Sequence, residues 1–144
     1  MTKTNGGFLI SQIKAMQGRV FEKILLESGV EEFNGAQGRI LYVLWQSDRL
    51  PIIEISKRTG LAKTTLTSML DRMEASRLIS REFDELDRRK TYIVLTDKAR
   101  SLQKRYDEVS DTMSEIFYLG FTDKEIVDFE NTLNRIINNL TKQF

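Results

Sequence analysis

Between Pro51 and Leu95 the hydrophobic pattern changes period twice, and no other stretch of the chain limits its fold as tightly. Pro51 fits the first turn of a helix, where a missing N–H costs nothing. Ile52, Ile55 and Ser56 face inward from a short helix that stops at Thr59-Gly60, and Gly60 offers the positive φ needed for a sharp change of direction. A second helix is predicted from about Lys63 to Ser76. Its inward set is Leu66, Met69, Leu70 and Met73, and its outward set is Lys63, Thr64, Thr65, Thr67, Ser68 and Arg72. Two short helices joined by a glycine-containing turn make a helix-turn-helix. Leu78 to Phe83 and Tyr92 to Leu95 then read as short strands. The loop between them, Asp84-Glu85-Leu86-Asp87-Arg88-Arg89-Lys90, ends in three consecutive cations and has the position of a wing.

The outward face of the second helix suits duplex DNA for a physical reason. Small hydroxyl side chains let a helix backbone approach base edges, and threonine adds a methyl for thymine methyls. Lys63 stands at the helix start, where the dipole also attracts phosphate. Arg72 lies two turns on and reaches backbone phosphate more readily than a base. A solvated Thr/Ser face is the plainer alternative, although these residues are mediocre helix formers. On the wing, Arg88, Arg89 and Lys90 suit a narrow minor groove, where the potential is most negative. Asp87 is expected to orient one of the arginines through a bidentate pair.

Charge distribution agrees with this. From Lys57 to Lys90 there are nine Lys or Arg against six Asp or Glu, a net of +3, while the remainder carries −2. Lys57, Arg58, Lys63, Arg72, Arg77 and Lys90 are candidates for phosphate contacts, which give salt-dependent affinity without sequence preference.

The flanks are helical. Leu9, Ile13, Met16, Val20 and Ile24, widened by Ile10, Phe21 and Leu25, define a helix from about Phe8 to Glu27, with Gly29 as its stop. Asn34 and Gln37 form a capping box opening a helix that runs to about Gln46, and Asp48-Arg49 reads as a turn. After a Thr96 cap, Ala99, Leu102, Tyr106, Val109, Met113 and Ile116 alternate in steps of three and four, a heptad seam in one helix ending at Gly120. Thr122 and Glu125 cap the last helix, with Phe121 and Ile126 as a staple. Apolar seams at both chain ends could serve a monomer core, but they fit burial against a second copy better. The fold expected is mainly α with a small β-hairpin. It is a winged helix-turn-helix lobe over 35–96 and a helical dimerisation region over 1–34 and 97–144.

With no cysteine and no histidine among 144 residues, there can be no disulfide, thiolate nucleophile, Cys/His zinc site or Ser-His-Asp triad. No cofactor is expected. Met1 to Gly7 lacks the features of a secretory signal and no stretch is apolar enough to span a bilayer, so the chain is expected to be cytoplasmic, with no membrane partner.

Leu61-Ala62-Lys63-Thr64-Thr65-Leu66-Thr67-Ser68-Met69-Leu70-Asp71-Arg72-Met73-Glu74, then Leu78-Ile79-Ser80-Arg81, then Asp84, Asp87-Arg88-Arg89 and Val94-Leu95-Thr96 resemble the MarR family of bacterial and archaeal regulators. The resemblance runs the length of the chain, and Asp-Arg-Arg followed by a strand and Leu-Thr is its most specific element. It implies a homodimer joined by the terminal helices, bound to a palindromic operator in double-stranded DNA, with the recognition helix in the major groove and the wing in the minor groove. It also implies a repressor released by a small organic ligand. By position, Lys63, Thr64, Thr65, Thr67 and Ser68 fall on the base-reading face, and Arg88 and Arg89 at the wing tip. Oxidant sensors of the family use cysteine and zinc sensors histidine. This chain has neither, which leaves an organic ligand, a partner protein or no effector. Met16, Tyr42 and Trp45 are candidate pocket residues, with core packing the alternative.

Two rivals stand beside this reading. A winged helix used only for protein–protein contact leaves Arg88-Arg89-Lys90 without a role. A carboxylate enzyme built on Asp84, Glu85 and Asp87 would place its acids beside three cations, which favours salt bridging over general acid catalysis, so an enzyme is not expected.

Overall fold

The computed structural model describes residues 3–144. Met1 and Thr2, the start of the segment read for a leader, lie outside the described residues. The chain forms α1 (Gly6–Glu27), α2 (Gly35–Gln46), β1 (Leu50–Pro51), α3 (Ile52–Thr59), α4 (Lys63–Ala75), β2 (Ile79–Phe83), β3 (Thr91–Leu95), α5 (Asp97–Ser101), α6 (Gln103–Phe117) and α7 (Asp123–Thr141). None of these helices is long and apolar enough to cross a membrane.

Local chemistry sets the helix ends. Asn34 Oδ1 accepts from the Gln37 amide at 2.8 Å, and the Asn34 amide donates to Gln37 Oε1 at 3.1 Å, a reciprocal box that satisfies two N-terminal donors of α2. Thr122 and Glu125 do the same for α7 at 3.1 and 2.9 Å. Gly60, at φ 73°, ends α3 and turns the chain into α4. Around it Ser56 Oγ donates to the Leu61 carbonyl at 2.6 Å, and Thr59 Oγ1 donates to the Ile55 carbonyl at 2.7 Å.

The core of the lobe is fully enclosed: Ile40, Leu41, Leu44, Ile55, Leu66, Leu70, Met73, Leu78 and Ile93 are all at 0% exposure. α1 and α6 both pack on α2, and Phe21, Ile24 and Leu25 of α1 join the same core. A Cβ at Gly38 of α2 would lie 2.9 Å from a Tyr106 ring carbon and 3.3 Å from Phe33, so glycine is what lets these rings approach.

Three local features differ from the sequence reading. The hairpin has a third strand, in the order β1-β3-β2, with Leu50 opposite Ile93 and Pro51 opposite Tyr92. Pro51 therefore caps α3 while closing an edge strand, where proline is tolerated. The helix expected to run from Thr96 to Gly120 is interrupted at Leu102. There the Trp45 indole donates to the Ala99 carbonyl at 3.0 Å, and that carbonyl also takes a three-residue bond from Leu102 at 3.1 Å. Such an intrusion into the ladder bends a helix. Finally, much of the heptad seam is buried within the chain: Leu102, Val109 and Met113 are at 3–7% exposure, with α6 packed against α1. The faces left bare are the first half of α1 and most of α7. Phe8 and Met16 are 67% and 52% exposed, and Ile137 and Leu140 are 57% and 59%.

Candidate nucleic-acid interface

On α4 the buried positions Leu66, Leu70 and Met73 fix the rotation of the helix, which leaves Lys63, Thr64, Thr65, Thr67, Ser68 and Arg72 exposed on the other side. Thr67 Oγ1 donates to the Lys63 carbonyl at 2.9 Å, so its hydroxyl proton is spent on the backbone and its methyl and lone pairs remain available. Thr64, Thr65 and Ser68 hydroxyls make no hydrogen bond to protein among the described residues.

A clamp not assigned from the sequence holds this helix. Arg81 donates to Glu74 at 2.6 Å and to Asp71 at 2.8 Å, with its own side chain only 19% exposed. The register explains its reach. Ile79, Arg81 and Phe83 lie opposite Leu95, Ile93 and Thr91, so Arg81 shares the sheet face with Ile79 that packs on α4. That alternation was the available signal. Asp71 continues the exposed face of α4, and the guanidinium neutralises a carboxylate that would otherwise oppose phosphate.

The wing is a braced turn. The Asp84 amide donates to the Lys90 carbonyl and the Lys90 amide to the Asp87 carbonyl, both at 3.0 Å. Asp84 Oδ1 accepts from the Leu86 and Asp87 amides at 2.8 and 3.2 Å. Those amides, Leu86 first, hold the Asp84 carboxyl below the usual range. Asp87 accepts two bonds from the Arg89 guanidinium, at 3.0 and 3.2 Å, and this contact is the main cause of its lowered pKa. Arg89 remains 91% exposed. Arg88 and Lys90 are exposed and form no ion pair among the described residues. At the base, Arg49 lies 4.0 Å over the Tyr92 ring and 3.4 Å from Glu82, which ties β1 to the hairpin. A groove of about 500 Å³ runs between the start of α4 and the wing, with Lys63, Arg89 and Lys90 on its walls. Of the α4 and wing residues named from the sequence, Lys63, Arg89 and Lys90 thus line one groove, while Arg88 lines a separate recess with Phe83, Asp84 and Glu85.

Of the three candidate pocket residues, Tyr42 and Trp45 meet at one ring and Met16 stands apart. Trp45 and Tyr42 both pack on Tyr106, at 5.1 and 6.0 Å between ring centres, and Trp45 also meets Phe33 at 6.4 Å. Met16 lines a separate apolar recess of about 370 Å³ with Ile13, Val20, Met113 and Phe117. A larger cleft of about 550 Å³ opens between α1 and α2, lined by Lys14, Arg19, Phe21, Arg39 and Tyr106. Its cations come from two consecutive helices, Lys14 and Arg19 from α1 and Arg39 from α2, and Tyr106 reaches it from α6. Burial raises the Tyr106 phenol above its ordinary pKa.

The family model described as MarR matches residues 33–91. The regulator TtmR of Methylorubrum extorquens (strain PA1), an HTH-type transcriptional regulator by name, is 36% identical over 96 residues, which is 67% of this chain and 48% of TtmR. The chain thus matches about half the length of that curated relative. A mutant MarR from E. coli in complex with operator DNA superposes with a TM-score of 0.80 at 21% identity, over 90% of this chain and 91% of that one. CouR from Rhodococcus jostii RHA1, bound to p-coumaroyl-CoA, superposes with a TM-score of 0.77 at 22% identity, over 90% of each chain. These two likenesses establish the winged-helix fold.

Proposed function

The chain belongs to the MarR family of regulators, and on that premise we propose that it binds duplex DNA sequence-specifically as a homodimer on a palindromic operator, acting as a repressor. The observation that carries the reading is the groove in which Lys63, at the start of the exposed hydroxyl-rich face of α4, stands with Arg89 and Lys90 of the wing. Lys63, Thr64, Thr65, Thr67 and Ser68 read base edges in the major groove, and Arg72 meets phosphate. Arg88, Arg89 and Lys90 enter the adjacent minor groove. The lobe is 35–96, and 1–34 with 97–144 forms the dimer layer, for which the bare apolar faces of α1 and α7 are the support. Two recognition helices then stand roughly 34–36 Å apart, one turn of duplex.

A small organic ligand in the cleft beside Tyr106 releases the operator by favouring another spacing of the lobes. It acts only in proportion to its preference for that state. The cleft joins the two layers, which is the place from which such a change can be made.

The test is a titration of the purified protein against the duplex flanking its own gene, across salt, with random duplex as competitor. Competitor-resistant binding of a dimer is the expected result. Absence of binding to either duplex at low salt refutes the proposal and leaves the protein-contact reading.

A further inference from the structure

The wing presents one side chain that its electrostatics do not explain. Residues 84–90 hold three carboxylates and three cations, so the loop as a whole is neutral and gains little from the phosphate field. Leu86 stands among these seven residues at 98% exposure, and Phe83, where the strand ends, is 64% exposed. Neither supports the lobe. The Leu86 amide is bound to Asp84 Oδ1 at 2.8 Å, and the same oxygen takes the Asp87 amide at 3.2 Å, so the backbone beneath the leucine is held before any partner arrives. Two of the three carboxylates are engaged within the turn, Asp84 by these amides and Asp87 by Arg89. The tip that meets a partner is therefore an apolar side chain with arginines beside it.

We infer that Leu86 is a DNA-contacting residue: it enters the minor groove with the wing and packs against the deoxyribose walls, while Arg88 and Arg89 on the same turn face the groove's negative potential. The inference rests on the wing being a minor-groove element. Leucine is among the apolar side chains that minor-groove proteins place in the groove, where they wedge at base steps, and the deoxyribose walls beside those steps offer carbon surface of the same kind. The contact is independent of charge. It contributes affinity that salt does not weaken, and a preference for duplexes whose minor groove fits the leucine.

The experiment uses the full chain and the tightest duplex that the wild-type protein selects from a random-sequence pool. Affinity is measured across salt for Leu86→Ala, Leu86→Met and Arg89→Ala, and thermal stability for each. Leu86→Ala is expected to bind roughly tenfold more weakly, the scale of losing one buried apolar side chain. Its salt slope and melting temperature should match wild type, and Leu86→Met should stay within about twofold of wild type, since its volume is similar. Arg89→Ala should lower the slope by about one. If Leu86→Ala binds like wild type while Arg89→Ala is weakened, the leucine proposal fails and the wing assignment stands. If neither variant changes binding, the wing assignment itself fails. A loss in Leu86→Ala that comes with a lower salt slope, or that Leu86→Met shares in full, also overturns the inference.

Discussion

α4 and α7 begin alike in sequence, each with apolar residues spaced for one helical face, yet the chain treats them oppositely. α4 buries Leu66, Leu70 and Met73 completely. α7 buries nothing, although Ile136, Ile137 and Leu140 are as apolar as anything in the lobe. Nor does the difference lie in helix ends, because α7 has a full capping box and α4 has no side-chain cap at all. What differs is the partner: α4 packs on β2 and α3 of its own chain, whereas α7 and the start of α1 leave apolar faces bare. One region is thus packed within a single copy and the other is not, which supports the proposed reading of a DNA-binding lobe carried on a dimer layer.

That contrast can be broken in three places. The largest effect is expected in the lobe: Leu70→Ala removes a fully buried side chain and should cost about 2–5 kcal/mol, read by urea denaturation, with no dependence on whether the protein is assembled. Ile137→Glu, on α7, should leave the stability of an isolated chain almost unchanged. It should weaken self-association by roughly 2–3 kcal/mol, seen in sedimentation as a shift to monomer. An equal loss of lobe stability in Ile137→Glu would erase the distinction. The smallest effect is at the joint between α6 and α7. Tyr118 donates its phenol to Glu130 at 2.7 Å, and burial, with that carboxylate second, raises its pKa to about 12. Because the folded value lies above the ordinary value of 10.0, the neutral phenol favours the fold. This contribution is complete below pH 10 and is lost as pH climbs through about 12. A tyrosinate absorbance titration should show this late step, and Glu130→Gln should bring it to lower pH.

How much could be read in advance follows the same division. The capping boxes at Asn34 and Thr122, the glycine turn at Gly60 and the orientation of α4 depend on neighbours within a few residues, and the sequence displays them. The wing loop is equally local, since Asp84 and Asp87 bind amides and a guanidinium two or three positions on. β1 was not legible: two residues carry no period, and only their pairing with Ile93 and Tyr92 makes them a strand. The interruption at Leu102 depends on a tryptophan more than fifty positions away. Arg81 was visible as part of a motif, but its role required knowing that β2 lies against the Asp71 and Glu74 side of α4. Of the candidate pocket residues, Tyr42 and Trp45 share a location against Tyr106, whereas Met16 lines the recess with Met113 and Phe117, a division that apolar character alone does not display.

The tie between Trp45 and the Ala99 carbonyl also gives the molecule an optical label of its own. The chain has a single tryptophan, so all indole emission arises at that one joint. Its ring stands on α2 and leans on Tyr106 of α6, and its N–H is anchored where α5 gives way to α6. Any rotation of the lobe against the helical layer must stretch that anchor or slide the two rings apart. Either change alters the polarity around the indole and its energy transfer from tyrosine. The inter-lobe angle is therefore written into the wavelength and intensity of one fluorophore, readable in solution without attaching anything to the protein.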